Sequence, residues 1–268
     1  MRIIDAHVHA AFGEKLWDDV ASKAGVRNTL EGLLSEMDEN RVEKAVAISL
    51  AANENMGIIE VCDKSGGRLI PVAAASHRYF SKYWNKTQRG LKDGLFAGVK
   101  LYPGYEHFYP RDKKLAPLYR LCESLGLPVI FHTGITFDTG EPQKPVIRYA
   151  HPLGIDDLAS EWPGLKILMA HSGNPWMFDA AAVLYKNDNV YADISGLFEH
   201  SIDSAYRRLI MRLLGDMVAW AGSSKVMFGT DWPLIRMKSY VDFAKGVWKD
   251  GPALEGIMYR NARKLFRF

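Results

Sequence analysis

Eight short apolar runs rich in β-branched residues, each followed by a stretch with apolar residues at three- and four-residue spacing, confine this chain to alternating strands and helices. The runs are Ile3–Val8, Lys44–Ser49, Leu69–Ala75, Ala97–Tyr102, Pro128–Thr133, Lys166–Ala170, Val190–Ile194 and Lys225–Gly229. They recur about every 25 to 40 residues, which leaves room for a crossover helix each time and predicts a parallel sheet. Helices are predicted over Thr29–Asn40, Leu115–Leu125, Ile155–Glu161, Trp176–Tyr185 and Tyr206–Trp220. Gly126-Leu127-Pro128, Pro163-Gly164 and Gly222-Ser223 mark helix exits, because Gly tolerates a left-handed cap and Pro cannot continue a helix. Eight strand–helix units in 268 residues suit a closed (β/α)8 barrel, the TIM-barrel class of α/β fold, better than an open doubly wound sheet. No linker-like tract, low-complexity segment or fixed-period repeat interrupts the pattern, so residues 1–268 are expected to form a single domain. The longest expected loop is Phe137–His151, a candidate lid.

Composition narrows the function classes. Hydrophobic residues make up 48% and charged residues 24% of the chain, and no apolar run reaches the roughly 20 residues that span a bilayer. The net charge of +3 comes from 34 basic and 31 acidic residues that are well mixed, so neither a nucleic-acid footprint nor a membrane-binding face is expected. The start, Met1-Arg2-Ile3-Ile4-Asp5, reads as a strand rather than a signal peptide, and a cytoplasmic location is expected. Cys62 and Cys122 fall far apart in helical segments, which argues against a disulfide framework and a thiolate metal site. Asn85-Lys86-Thr87 has the form of a glycosylation acceptor, which has no consequence without secretion.

The chemistry-bearing residues gather at strand ends. His7 and His9 close the first run two residues apart, on one strand face. His132 closes the fifth run, His171 the sixth, and Asp231 follows the eighth. In a barrel the carboxyl ends of all strands share one mouth, so these residues converge despite their distance in sequence. Imidazole and carboxylate donors without nearby cysteine suit Zn²⁺, with Mn²⁺ or Fe²⁺ as further options.

The pattern resembles the amidohydrolase superfamily, and more narrowly its amidohydrolase-related branch, which includes aminocarboxymuconate-semialdehyde decarboxylase-like proteins. It is carried by Asp5-Ala6-His7-Val8-His9, Gly98-Val99-Lys100-Leu101-Tyr102-Pro103, His132-Thr133-Gly134, Ala170-His171-Ser172-Gly173, Phe228-Gly229-Thr230-Asp231-Trp232-Pro233 and Asn261-Ala262-Arg263-Lys264-Leu265-Phe266. The resemblance implies one metal ion per chain on His7, His9, His132 and Asp231, with Asp231 also accepting a proton from the activated water and His171 serving as proton donor, acceptor or substrate polariser. Lys100 stands where binuclear relatives carry a carbamylated bridging lysine; in that arrangement Lys100 and His171 would both be ligands. Unmodified, Lys100 is expected to meet a substrate carboxylate or a buried acid.

Around these, Tyr102 and Trp232 are expected to line the substrate pocket, and Asp5 to be structural or to orient His7 and His9 by hydrogen bonding. His77, His107, His151 and His200 are read as surface or capping residues, and Arg148 as an exposed side chain or a clamp for an acidic substrate. The leading function is a metal-dependent hydrolase acting on an amide, lactone or ester of a small molecule. The alternative is a non-oxidative carboxy-lyase of an unsaturated or aromatic acid, and a further alternative is a non-catalytic ligand-binding barrel. The compact chain favours hydrolysis, and a homodimer is the expected assembly if there is one. No Gly-x-Ser-x-Gly elbow, phosphate-binding Gly-rich loop or Cys-x-x-Cys pair points to other chemistry.

Overall fold

The computed structural model describes residues 1–137, 143–199, 202–249 and 251–268. Eight parallel strands follow one another in a single sheet in chain order: β1 (Ile3–Val8), β2 (Val42–Ile48), β3 (Leu69–Ala74), β4 (Val99–Leu101), β5 (Val129–His132), β6 (Ile167–Ala170), β7 (Val190–Asp193) and β8 (Val226–Met227). The sheet curls onto itself. Ala6 N–H donates to the Phe228 carbonyl, Asp231 N–H to that of His7 and His9 N–H to that of Trp232, which brings the last strand onto the first. The predicted barrel is therefore the observed fold, with strand bounds within a few residues of the apolar runs.

Helices cover the outside between successive strands: Lys15–Ala24 and Leu30–Glu39, then Asn55–Lys64, Phe80–Lys92, Ala116–Leu125, Leu153–Glu161, Met177–Lys186 and Ser204–Ala221. Their ends follow local chemistry. Thr29 accepts the Gly32 N–H at 3.0 Å as an N-cap. Gly126 ends Ala116–Leu125 in the left-handed region at φ 64°, as its position in the sequence predicted. Among the described residues no helix is long and apolar enough to cross a membrane. Cys62 and Cys122 are buried free thiols pushed up to about 12 by burial, with Asp63 adding to the effect at Cys62.

Strand alternation divides the core in two. Val99, Leu101, Val129, Phe131, Ile167, Met169, Val190 and Ala192 pack outward beneath the helices. Ile4, Val46, Ile48, Val72, Ile130, Leu168, Ala170 and Met227 fill the interior. Tyr259, Ala262, Leu265 and Phe266 join that inner cluster. Asn261 Nδ2 ties the same segment to the Ser223 and Val226 carbonyls at 2.7 and 2.6 Å. Arg2 lies 4.4 Å over the Tyr259 ring and Lys44 5.8 Å over that of Phe268, so the C-terminal helix plugs the barrel at the amino ends of its strands. The opposite mouth is left for the strand-end polar residues.

Candidate metal centre

The same alternation selects what faces the mouth. With Val99 and Leu101 outward, Lys100 takes the inward place on β4; with Phe131 outward, His132 does so on β5; with Ala192 outward, Asp193 does so on β7. His171 and Asp231 follow β6 and β8 in left-handed backbone, each at φ 64°. Such geometry is sparsely populated for residues other than glycine and is held in place here by surrounding contacts.

His7, His9 and Asp231 bring one ligand atom each within 4.8 Å of the others, and all three are buried. The His7 Nδ1 atom lies 3.0 Å from Asp193 Oδ2, and His9 Nδ1 lies 3.1 Å from the Ile48 carbonyl. Both partners are acceptors, so each ring carries its proton on Nδ1 and leaves a lone pair on Nε2. Those two Nε2 atoms stand 3.6 and 3.2 Å from Asp231 Oδ1, a buried oxygen that accepts no well-formed hydrogen bond from the described residues. Three acceptor atoms thus converge, with Lys100 Nζ, 3.4 Å from His7 Nε2, as a donor at their edge. A cation satisfies such a cluster, and two imidazole nitrogens with one carboxylate oxygen match the donor chemistry of zinc, manganese or ferrous iron. His132 stands beside that group rather than in it: its Nε2–H donates to the Ile135 carbonyl at 2.8 Å, and its Nδ1 lies 3.1 Å from His171 Nε2.

Burial dominates the electrostatics. It pushes His7 down to about 3, with the Lys100 charge adding to the effect and Asp193 opposing it. His132 and His171 are lowered by burial as well, with charge from His171 and Lys100 adding at His132 and Asp231 opposing at His171. Burial alone would raise Asp231 and Asp193, yet the surrounding histidines, and Lys100 beside Asp193, hold both carboxyls well below the ordinary carboxylate range. His7, His132 and His171 are therefore held toward the neutral form and the two carboxylates toward the ionised form, which is the protonation state a metal ion requires.

The amidohydrolase family model matches residues 4–268. The chain belongs to the amidohydrolase family. Solved structures share the fold along its whole length: an uncharacterised TIM-barrel protein from Bordetella bronchiseptica at 22% identity covers 100% of this chain and 99% of its own, with a TM-score of 0.78. A probable 2-pyrone-4,6-dicarboxylic acid hydrolase from Acinetobacter baumannii, with citric acid bound, matches at 18% identity over 100% of both chains with a TM-score of 0.75. A dihydroxybenzoic acid decarboxylase from Polaromonas sp. JS666, with manganese and 2-nitroresorcinol bound, matches at 17% identity over 99% of this chain and 97% of its own, with a TM-score of 0.73. A dihydroorotase from Photorhabdus laumondii is 27% identical over 111 residues, which are 40% of this chain and 31% of that protein. The protein is thus a metal-dependent enzyme of the amidohydrolase family, a class whose structural relatives include both hydrolases and decarboxylases.

In this amidohydrolase the remaining predicted residues fall into distinct places. Tyr102 is half-buried, donates its hydroxyl to the Ser49 carbonyl at 3.1 Å, and sets its ring 6.3 Å from that of His132. Lys100 and Trp232 have no accessible surface, so of the three side chains expected to meet substrate only Tyr102 is open. Trp232 packs edge-on to Phe12 in the outer core. Lys100 lies 3.4 Å from His7 Nε2, and burial lowers it to about 8 against the opposing pull of Asp193 and Asp231. Asp5 does not touch the imidazoles. Its carboxylate accepts the His7 and Thr230 N–H groups at 3.0 Å and the Thr230 hydroxyl at 2.6 Å, stitching β1 to the segment that carries Asp231.

Outside the centre, His77 pairs with Asp112 at 3.0 Å, His107 donates to the Lys144 carbonyl at 2.8 Å and His151 accepts the Leu153 N–H at 3.3 Å, in keeping with loop and capping roles. Arg148 is exposed and lies 5.1 Å over the Tyr149 ring. His200 and residues 138–142 of the expected lid loop lie outside the described residues. Sequence reasoning missed Asp193, Ser195, and Trp17, whose ring lies 5.2 Å from that of His9. A signal for Asp193 was present: it closes Val190-Tyr191-Ala192-Asp193 just as His132 closes β5.

Proposed function

We propose that the chain, as one catalytic unit over residues 1–268, is a metal-dependent hydrolase that opens an amide, lactone or ester of a small molecule. His7, His9, His132 and Asp231 hold a single ion, zinc by preference and manganese or iron otherwise. The observation that carries this reading is the acceptor-only cluster of His7 Nε2, His9 Nε2 and the unsatisfied Asp231 Oδ1. When bound, such an ion polarises a substrate oxygen and acidifies water at its open position. Asp231 accepts the proton of the attacking water. His171, whose Nδ1 is 3.9 Å from Asp231 Oδ2, takes that proton over from Asp231 and delivers it to the leaving group, so the proton lost by the water is the one the product carries away. Tyr102 forms part of the wall of the substrate space.

A second reading, non-oxidative loss of CO2 from an unsaturated or aromatic acid, draws support from the full-length likeness to the manganese-containing dihydroxybenzoic acid decarboxylase. Buried Lys100, which enters no ion pair among the described residues, supplies positive charge near the place a substrate carboxylate would take in that reaction. Elemental analysis of untagged protein, followed by a panel of lactones, esters, amides and hydroxybenzoates, separates the cases. About one ion per chain, with acid released and no CO2, is the expected result. CO2 release without hydrolysis would transfer the assignment to the carboxy-lyase, about two ions per chain would make His171 and a modified Lys100 ligands, and no ion after reconstitution would overturn the metal reading.

A further inference from the structure

One carboxylate and one hydroxyl touch both of the histidines that the proposed chemistry uses in different ways. Asp193 Oδ2 lies 3.0 Å from His7 Nδ1, while Asp193 Oδ1 accepts the backbone N–H groups of His171 and Ser195, each at 3.0 Å. Ser195 Oγ lies 3.0 Å from His7 Nδ1 and 3.0 Å from His171 Nδ1, and donates its proton to Asp193 Oδ1. The Ser195 carbonyl stands 3.1 Å from His171 Nδ1 as well. His7, Asp193 and Ser195 have no accessible surface and His171 is 7% exposed, so solvent does not substitute for these partners.

The partners of the two Nδ1 atoms fix where a proton must sit on each ring. A hydroxyl has a single proton, and that of Ser195 is committed to Asp193, so Ser195 Oγ meets both rings as an acceptor. Asp193 Oδ1 accepts three hydrogen bonds, the pattern of a carboxylate, and Asp193, like the Ser195 carbonyl, meets the rings as an acceptor. Every atom that faces either Nδ1 is therefore an acceptor, and both rings must place a proton there. We infer that Asp193 and Ser195 are positioning residues that impose one tautomer, protonated on Nδ1, on His7 and His171 together. His7 Nε2, with Lys100 Nζ 3.4 Å away, is then left to hold the ion, and His171 Nε2, 3.1 Å from His132 Nδ1, to take and give the proton in turnover. The inference rests on the proposed metal centre for its purpose, but the tautomers themselves do not depend on it.

Asp193→Asn separates this role from simple structural support. The amide keeps an oxygen for the His171 and Ser195 N–H groups but turns an NH2 toward His7 Nδ1, which drives the His7 proton onto Nε2 and removes the lone pair. Long-range proton–nitrogen correlation spectra of the chelated full chain, labelled with ¹⁵N-histidine and assigned through His7→Gln and His171→Gln, read the tautomers directly. The wild type is expected to show Nδ1-protonated rings at both positions, with His7 switched in Asp193→Asn. Competition with a chromophoric chelator is expected to show zinc affinity about ten- to a hundredfold weaker in Asp193→Asn at unchanged far-ultraviolet circular dichroism.

An Nε2-protonated His7 or His171 in the wild type would overturn the inference even if the variant failed to fold. Unchanged zinc affinity and tautomers in a folded Asp193→Asn would overturn it too, leaving Asp193 its backbone contacts alone. If the wild type bound no divalent ion, the metal reading would fail, and the tautomer spectra would still decide the positioning role.

Discussion

Asp231 and His171 stand side by side at the mouth, yet the geometry gives them separable duties. Asp231 Oδ1 faces the lone pairs of His7 and His9, whereas His171 meets that carboxylate only through the other oxygen, at 3.9 Å. Asp231→Ala is therefore expected to lose the ion and the activity together. His171→Ala is expected to keep most of the ion while kcat falls by ~10²–10⁴-fold, the usual worth of a positioned acid–base group. Metal content measured beside single-turnover rates checks both, and complete metal loss in His171→Ala would instead make that histidine a ligand. At this scale the sequence revealed the histidines and Asp231 because chemically distinctive residues sat at strand ends. It concealed Ser195, which lies beyond the end of β7 and becomes informative only once the fold sets its hydroxyl against two rings that precede it by 188 and 24 residues.

The centre depends on how closely the ends of β7 and β8 approach β1. Gly196 follows β7 at φ +60°, and a Cβ there would stand 2.5 Å from Asp231 Oδ2 and 2.8 Å from His171 Nδ1. Gly196→Ala is expected to displace both groups, weakening metal binding by at least about tenfold, and to add roughly 1–2 kcal/mol of backbone destabilisation. Thermal melts and chelator competition on the same preparation separate the two effects; unaltered metal affinity would mean that the loop yields without moving Asp231. The elements themselves were legible as apolar runs followed by amphipathic stretches. Their bounds were less so: the eighth run covers Lys225–Gly229, whereas β8 spans only Val226–Met227. Phe228 leaves the ladder because its N–H donates to the Ile257 carbonyl and its carbonyl accepts from Ala6, contacts supplied by the plug and by β1.

For the molecule as a whole, a buried polar mouth opposite a plugged base makes stability depend on pH. His7 is held down to about 3 chiefly by burial, against an ordinary value of 6.5. Between those values the unfolded chain binds a proton that the folded chain does not, so this contribution is complete above about pH 6.5 and is lost as pH falls toward 3. His132 and His171 act in the same direction. Asp5 opposes them: burial pushes it up to about 7 from 3.8, so the folded state keeps a proton there and loses stability as pH rises through that window. The metal-free protein is expected to melt at lower temperature as pH falls from about 6.5 to 4, and Asp5→Asn to steepen that fall. Scanning fluorimetry of chelated protein checks this, and a flat profile would contradict neutral buried imidazoles. Added metal is expected to steepen the dependence further, because protons compete for the same lone pairs.

The sequence by itself determined the alternation of eight strands with helices and, given a barrel, the gathering of His7, His9, His132, His171 and Asp231 at strand ends on one side. These follow from local periodicity and from the rule that strand ends in a barrel share a face. The tertiary structure alone decided which nitrogen of each ring is free, that Lys100 and Trp232 are sealed from solvent, and that Asp5 serves the backbone rather than the imidazoles. Those outcomes depend on distances between residues far apart in the chain, and periodicity carries no information about which acceptor will face a given atom.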